Sequence, residues 1–138
     1  MRHHVFGKKL NRDIKERKSL FRNLIVSFVT YGRIKTTAAK AKILRRLLEK
    51  LVTHAKEGTD LALKRISSIL TTKELMDKLI KEVIPKFADK TGGYVRIRKL
   101  GKRKGDGTEE VVIEWSVKTD ATKKEQEIKK PTENKNKK

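Results

Sequence analysis

The stretch TTAAKAKILRRLLEKLVTHAKEG, residues 36–58, decides how the chain is read. At about 100° per residue, Ala41, Leu44, Leu47, Leu48, Leu51, Val52 and Ala55 fall on one side of a helix. Lys42, Arg45, Arg46, Lys50 and Lys56 fall opposite. Thr36 or Thr37 can cap the first turn, and Gly58 suits the left-handed residue that closes the last. One face of this helix therefore builds a core and the other is left to meet an anion.

Working toward the amino terminus, Arg33 to Thr36 reads as a short strand entering that helix. Before it, Leu20, Phe21, Leu24, Ile25 and Phe28 recur at helical spacing from about Asp13 to Tyr31, with Gly32 as the stop. Val26 and Val29 lie off this stripe, so the far side of the helix is also expected to be covered. Residues 1–12 hold no sustained period and are expected to form an extended basic arm.

Toward the carboxyl terminus, Thr59 or Asp60 opens a shorter helix to about Leu70, with Leu63, Ile66, Ile69 and Leu70 apolar. Thr71 followed by Glu74 matches a capping box for a fourth helix carrying Leu75, Met76, Leu79, Ile80, Val83 and Ile84. Pro85 is expected to end it, since proline lacks the N–H and its ring disfavours continued helix. The pattern then changes to period two: Tyr94 to Leu100 and Val111 to Val117 read as strands, the second with Val111, Ile113, Trp115 and Val117 on one face. The basic connection between them, Gly101 to Gly107, predicts an antiparallel hairpin. The order α-β-α-α-α-β-β implies a two-layer α+β domain over residues 13–117, with helices packed on a small three-stranded sheet whose strand order the pattern leaves open.

Of the 138 residues, 37 are Lys or Arg and 17 Asp or Glu, a formal charge of +20. Such a like-charge excess repels itself and calls for a polyanion. Residues 1–50 hold 15 basic and 3 acidic side chains, a net of +12, so more than half of the excess lies there. No run approaches the roughly 18 apolar residues of a membrane span, and the opening residues lack the apolar core of a secretion signal. Nucleic acid is therefore the expected polyanion, and no membrane partner is expected. With no cysteine there is no disulfide or thiolate metal site, and a cytoplasmic location fits. Residues 118–138 have Ala121 and Ile128 as their only apolar side chains and read as a disordered Lys-rich tail.

Enzyme chemistry needs poised groups converging in a cleft. Here the acidic residues are few and scattered among lysines, and His3, His4 and His54 make no zinc-ligand spacing. The glycine loop lacks the spacing of a phosphate-cradling loop and runs into a strand instead of a helix. No cofactor, metal, small-molecule substrate or catalytic residue is therefore expected. The candidate contacts to a phosphate backbone are basic: Arg2, His3, Lys8, Lys9 and Arg12 in the arm, and Arg17, Lys18 and Arg22 in the first helix. Lys35 in the short strand, Lys42, Arg45 and Arg46 in the second helix, Arg96 and Arg98 on one sheet face, and Lys102, Arg103 and Lys104 at the hairpin tip complete the set. With 5% aromatic residues, a stacking platform for single-stranded bases is not expected.

These residues resemble a known family. Met1-Arg2-His3, Gly7 and Leu10-Asn11-Arg12, with Arg17 and Phe21-Arg22-Asn23-Leu24, look like the amino-terminal pattern of bacterial large-subunit ribosomal protein seventeen. Ile34-Lys35-Thr36-Thr37, Lys40-Ala41-Lys42 and Leu44-Arg45-Arg46 look like its central signature, and Gly92-Gly93-Tyr94 with Arg96-Ile97 and Lys99 like its strand entry. The likeness runs from Met1 to about Val117. His4, Glu16 and Ile43 depart from it, where the family tends to have a basic residue, His and Glu. The resemblance implies a structural protein that binds large-subunit ribosomal RNA near the polypeptide exit side, beside other ribosomal proteins. It implies that the arm threads between RNA segments, with Arg2, His3, Lys8, Lys9, Asn11 and Arg12 on the backbone, and that Arg22 and Asn23 anchor the first helix. The competing expectation is a free nucleic-acid binder such as a nucleoid protein or RNA chaperone.

Overall fold

A computed structural model describes residues 8–117; Arg2, His3 and the expected tail lie outside the described residues. The chain runs α1 (Ile14–Tyr31), β1 (Arg33–Thr37), α2 (Ala38–Glu57), α3 (Asp60–Ser67) and α4 (Lys73–Asp77). It continues through a π-helical segment (Lys78–Val83) and a 3-10 turn (Ile84–Phe87) into β2 (Val95–Lys102) and β3 (Glu109–Trp115). This is the α+β order expected.

Each helix boundary has a local cause. Asp13 caps α1, its carboxylate accepting from the Glu16 N–H at 2.7 Å while the Glu16 carboxylate accepts from the Asp13 N–H at 3.3 Å. Glu16 therefore has a local task at the helix start. Gly32 ends α1 at φ 75° and Gly58 ends α2 at φ 64°, a backbone region open to glycine at little cost. Thr59 caps α3 through the Ala62 N–H at 3.2 Å.

Three expectations at the arm and the fourth helix need correction. Lys9 to Arg12 is a tight turn, with Leu10 and Asn11 at φ 55° and 52° and the Arg12 N–H bonded to the Lys9 carbonyl, so the described end of the arm is not extended. The residue at the capping position of the fourth helix is Thr72, not Thr71, and it makes no side-chain cap bond. Nor does Pro85 end the helical path: the Ile84 N–H bonds the Leu79 carbonyl in a widened turn, and Pro85 then sits in the first turn of the 3-10 segment. There its fixed φ suits the helical backbone that runs on through the turn.

The sheet is antiparallel in the order β1-β3-β2. Ile34, Ile113 and Ile97 lie abreast across the three strands on the face that packs on α2. The register shifts between Lys99 and Gly101, leaving Leu100 as the extra residue of a bulge and exposed. The bulge lets β2 run on to Lys102, where a loop had been expected.

The core joins Phe28, Val29, Leu44, Leu48, Leu51, Val52, Ile66, Leu79, Phe87, Ile113 and Trp115. Val29, off the main stripe of α1, is 1% exposed, and partly buried Val26 packs against the same cluster, so the far side of α1 is covered by the chain itself. Lys78 Nζ donates to the Thr30 carbonyl at 2.6 Å, tying the π segment to the end of α1.

Lys56 departs from the polar face assigned to it. Its Nζ donates to the carbonyls of Phe87, Ala88 and Lys90, neutralising the carboxyl-terminal end of the 3-10 turn. Lys56→Met is expected to lower unfolding free energy by about 2 kcal/mol, because charge-assisted bonds are lost and acceptors are left unpaired. Denaturant titration checks it; a change under about 0.5 kcal/mol would show that water replaces the ammonium.

Candidate nucleic-acid interface

Alternation along β1 and β3 and the periodicity of α2 distribute the cations over both sides of the sheet. On the helical side, α2 is the shared wall of two clefts. The larger, about 640 Å³, has Phe21, Ile25, Ile43, Leu47 and Ile69 in its lining. Lys8, Lys9, Arg17, Lys18 and Arg22 line it as well, and no carboxylate does. This brings Lys8 and Lys9 of the arm and three basic residues of α1 to one place. Ile43 supplies apolar lining here.

The second cleft, about 490 Å³, lies between α2 and the start of β2 and is lined by Lys42, Arg45, Arg46, Glu49 and Lys50 with Gly93 and Ile97. The Glu49 carboxylate accepts from the Val95 N–H at 3.3 Å and so fixes the strand entry against the helix. Gly93 has φ 68°, and a Cβ there would meet nothing within 4 Å, so the glycine answers a backbone requirement and not crowding within the fold.

The opposite, outer face of the sheet carries Arg33 and Lys35 from β1, Glu110 and Glu114 from β3, and Arg96 and Arg98 from β2. Arg96 and Arg98 do share one face, as their alternation implied. Beneath them lies Glu114, 5% exposed, which sequence reasoning missed. Its signal was present: Glu110, Val112 and Glu114 alternate with the apolar face of β3, but which arginines stand beside them depends on strand order. Lys35 Nζ lies 2.7 Å from the Glu110 carboxylate.

At the hairpin tip the three candidates separate. Lys102 is in β2 and Lys104 is exposed in the turn. Arg103 instead clamps the turn, bonding the Asp106 carboxylate through Nε at 3.2 Å and Nη2 at 2.6 Å. Thr108 donates to the same carboxylate through its hydroxyl at 2.8 Å and its N–H at 3.2 Å. The Arg103 hydrogen bond, then those of Thr108, hold the Asp106 carboxyl well below the usual carboxylate range. A depressed folded-state pKa contributes stability above the unfolded value of about 4 and loses it as pH falls through the folded value. Asp106 is therefore expected to remain ionised near pH 3, where an ordinary surface carboxylate is protonated; carbon-detected NMR titration reads this, and a midpoint near 4 would refute the clamp.

Asn11, Arg12 and Asn23 are exposed, and the cleft beside α1 does not include them in its lining. Among the described residues no group of three or more His, Asp or Glu could hold a metal ion, and no helix is long and apolar enough to cross a membrane.

Comparison with known proteins adds independent information. A family model described as "Ribosomal protein L17" matches residues 20–116. Similar curated proteins include the "Large ribosomal subunit protein bL17" of Clostridium botulinum (strain Hall), 42% identical over 107 residues that cover 78% of this chain and 95% of the relative. The protein of that name from Clostridium acetobutylicum is 43% identical over 107 residues, covering 78% and 94%. That from Koribacter versatilis is 44% identical over 114 residues, covering 83% and 71%.

Proposed function

The chain belongs to the ribosomal protein L17 family, and on that premise we propose that it is a structural component of the large ribosomal subunit that binds ribosomal RNA. Its finer role is to hold separate RNA segments together near the polypeptide exit side, beside neighbouring ribosomal proteins, with no catalysis of its own.

The observation that carries this reading is the placement of cations on two opposed surfaces around a preformed core. α2 presents basic clefts on the helical side. The outer face of the sheet presents Arg33, Lys35, Arg96 and Arg98 on the other. A single duplex lying on one face would leave the second set unused, whereas RNA segments folded around the domain engage both. Phosphate contacts of this kind position a protein without reading sequence, and each releases counterions. Arg2, His3, Lys8, Lys9, Asn11 and Arg12 belong to the same proposal as contacts made by the amino-terminal segment.

Sedimentation of a cell lysate through a sucrose gradient at physiological salt tests the assignment. Comigration with large subunits supports it, and recovery at the top of the gradient favours a free nucleic-acid binder instead.

A further inference from the structure

We propose that Glu114 is a positioning residue for anion binding: from within the sheet it holds Arg96 and Arg98 side by side as a preformed site for an RNA phosphodiester on the outer face. This deepens the RNA-binding reading and rests on it.

Glu114 is the buried charged residue of the described core, 5% exposed, on the central strand. A carboxylate in such a place is costly unless it is paired and hydrogen-bonded. The pairing is made by Arg96 Nε at 2.6 Å and Arg98 Nε at 3.1 Å, both to one oxygen, with Arg98 Nη2 at 3.5 Å from the other. Arg96 stands directly across from Glu114 in the β2–β3 register and Arg98 one pair along on the same face. Arg33 occupies the facing position on β1.

One guanidinium would neutralise the carboxylate. Two leave an excess of positive charge fixed in place, and a guanidinium has five N–H donors, more than a shared carboxylate takes up. The side chains of Arg96 and Arg98 are 55% and 58% exposed, so donors remain available on the outer side of the pair. Long cationic side chains normally lose rotamer freedom when they bind a phosphate; here the carboxylate has already restricted them. Planar guanidinium forks suit the bidentate geometry of phosphate oxygens. Four residues back along β3, on the same face, Glu110 repeats the device, gathering Lys35 from β1 at 2.7 Å and Arg103 from the hairpin at 3.6 Å.

The proposal makes a prediction opposite in sign to simple charge counting. Glu114→Gln raises the net charge by one, so if total charge governed affinity the variant would bind RNA more tightly. If Glu114 positions the arginines, the variant binds about 3- to 10-fold more weakly, with an unchanged slope of log affinity against log salt because the same cations remain. The experiment measures binding of the full chain to deproteinised large-subunit ribosomal RNA over a salt series, with melting recorded for each variant. Equal or tighter binding by a folded Glu114→Gln chain overturns the proposal.

Should Glu114→Gln fail to fold, the decision passes to the double variant Arg96→Lys/Arg98→Lys. It keeps both charges and the buried carboxylate but removes the forks. Weaker binding by about 3-fold or more supports the site, and binding equal to the unaltered chain overturns it. If the unaltered chain itself shows no salt-sensitive binding, the RNA reading fails and this proposal with it. If that chain binds and both variants match it, the positioning role alone is lost.

Discussion

A chain in which Lys8, Lys9, Lys18 and Arg22 are all replaced by Gln is expected to bind ribosomal RNA on the order of 100-fold more weakly at about 0.15 M salt, with a salt slope shallower by about 3. The four line one cleft whose lining holds no carboxylate, so their charge is not spent on ion pairs within it. Each neutralised phosphate adds somewhat less than one unit to the slope, and four such contacts give the figure stated. All four side chains are exposed, so the domain should keep its melting temperature. Surface substitutions of this sort usually change stability by less than about 0.5 kcal/mol each. Unchanged affinity across the salt series would move the RNA contact away from this cleft. A lowered melting temperature would instead show that the residues support the fold.

Phe28→Ala is expected to be the most damaging single substitution in the core. Phe28 is fully buried, with its ring 4.5 Å from that of Trp115. Trp115 lies 5.8 Å from Phe87, and Phe87 lies 5.4 Å from Tyr94. This chain of rings joins α1, β3, the 3-10 turn and the entry to β2, parts of the fold that are far apart in sequence. Truncating a buried Phe to Ala costs about 3–5 kcal/mol through lost transfer energy and the cavity left behind. Domains of this size are stable by only about 5–15 kcal/mol, so a fall in melting temperature of about 15 °C follows. Leu100→Ala, at the exposed bulge, serves as the contrast and should shift it by only a degree or two. A shift of similar size for the two would mean that the ring cluster is not what joins the layers.

Much of this molecule could be read directly from the chain because the decisive features are local. The apolar stripe of α2, the glycines at 32 and 58 and the period-two runs before and after the hairpin each need only neighbours in sequence to act. With the stripes of the other helices they determined the element order and the α+β class, and composition alone determined the surplus of cations in the first 50 residues. The motifs for the family likewise lie in short stretches, and the comparisons show the family to which they point. The fourth helix forms, but its cap and its end depart from expectation for a physical reason: a Thr-x-x-Glu pattern and a proline describe local preference, whereas Leu79, Val83 and Phe87 are drawn into the core together and the backbone widens, then tightens, to bring them there.

What only the tertiary structure decided is which charges are committed to the fold and which remain for a partner. Lys56 looked like one more cation on a polar helix face until the carbonyls of Phe87, Ala88 and Lys90 were brought beneath it. Glu114 is one more acidic residue scattered among cations in the sequence, and only the order β1-β3-β2 puts its strand in the middle, with Arg33 on one side and Arg96 on the other. A helix or strand pattern reports how a residue sits on its own element. The partner of a charge is set by long-range packing and strand order, which residue spacing along the chain does not encode.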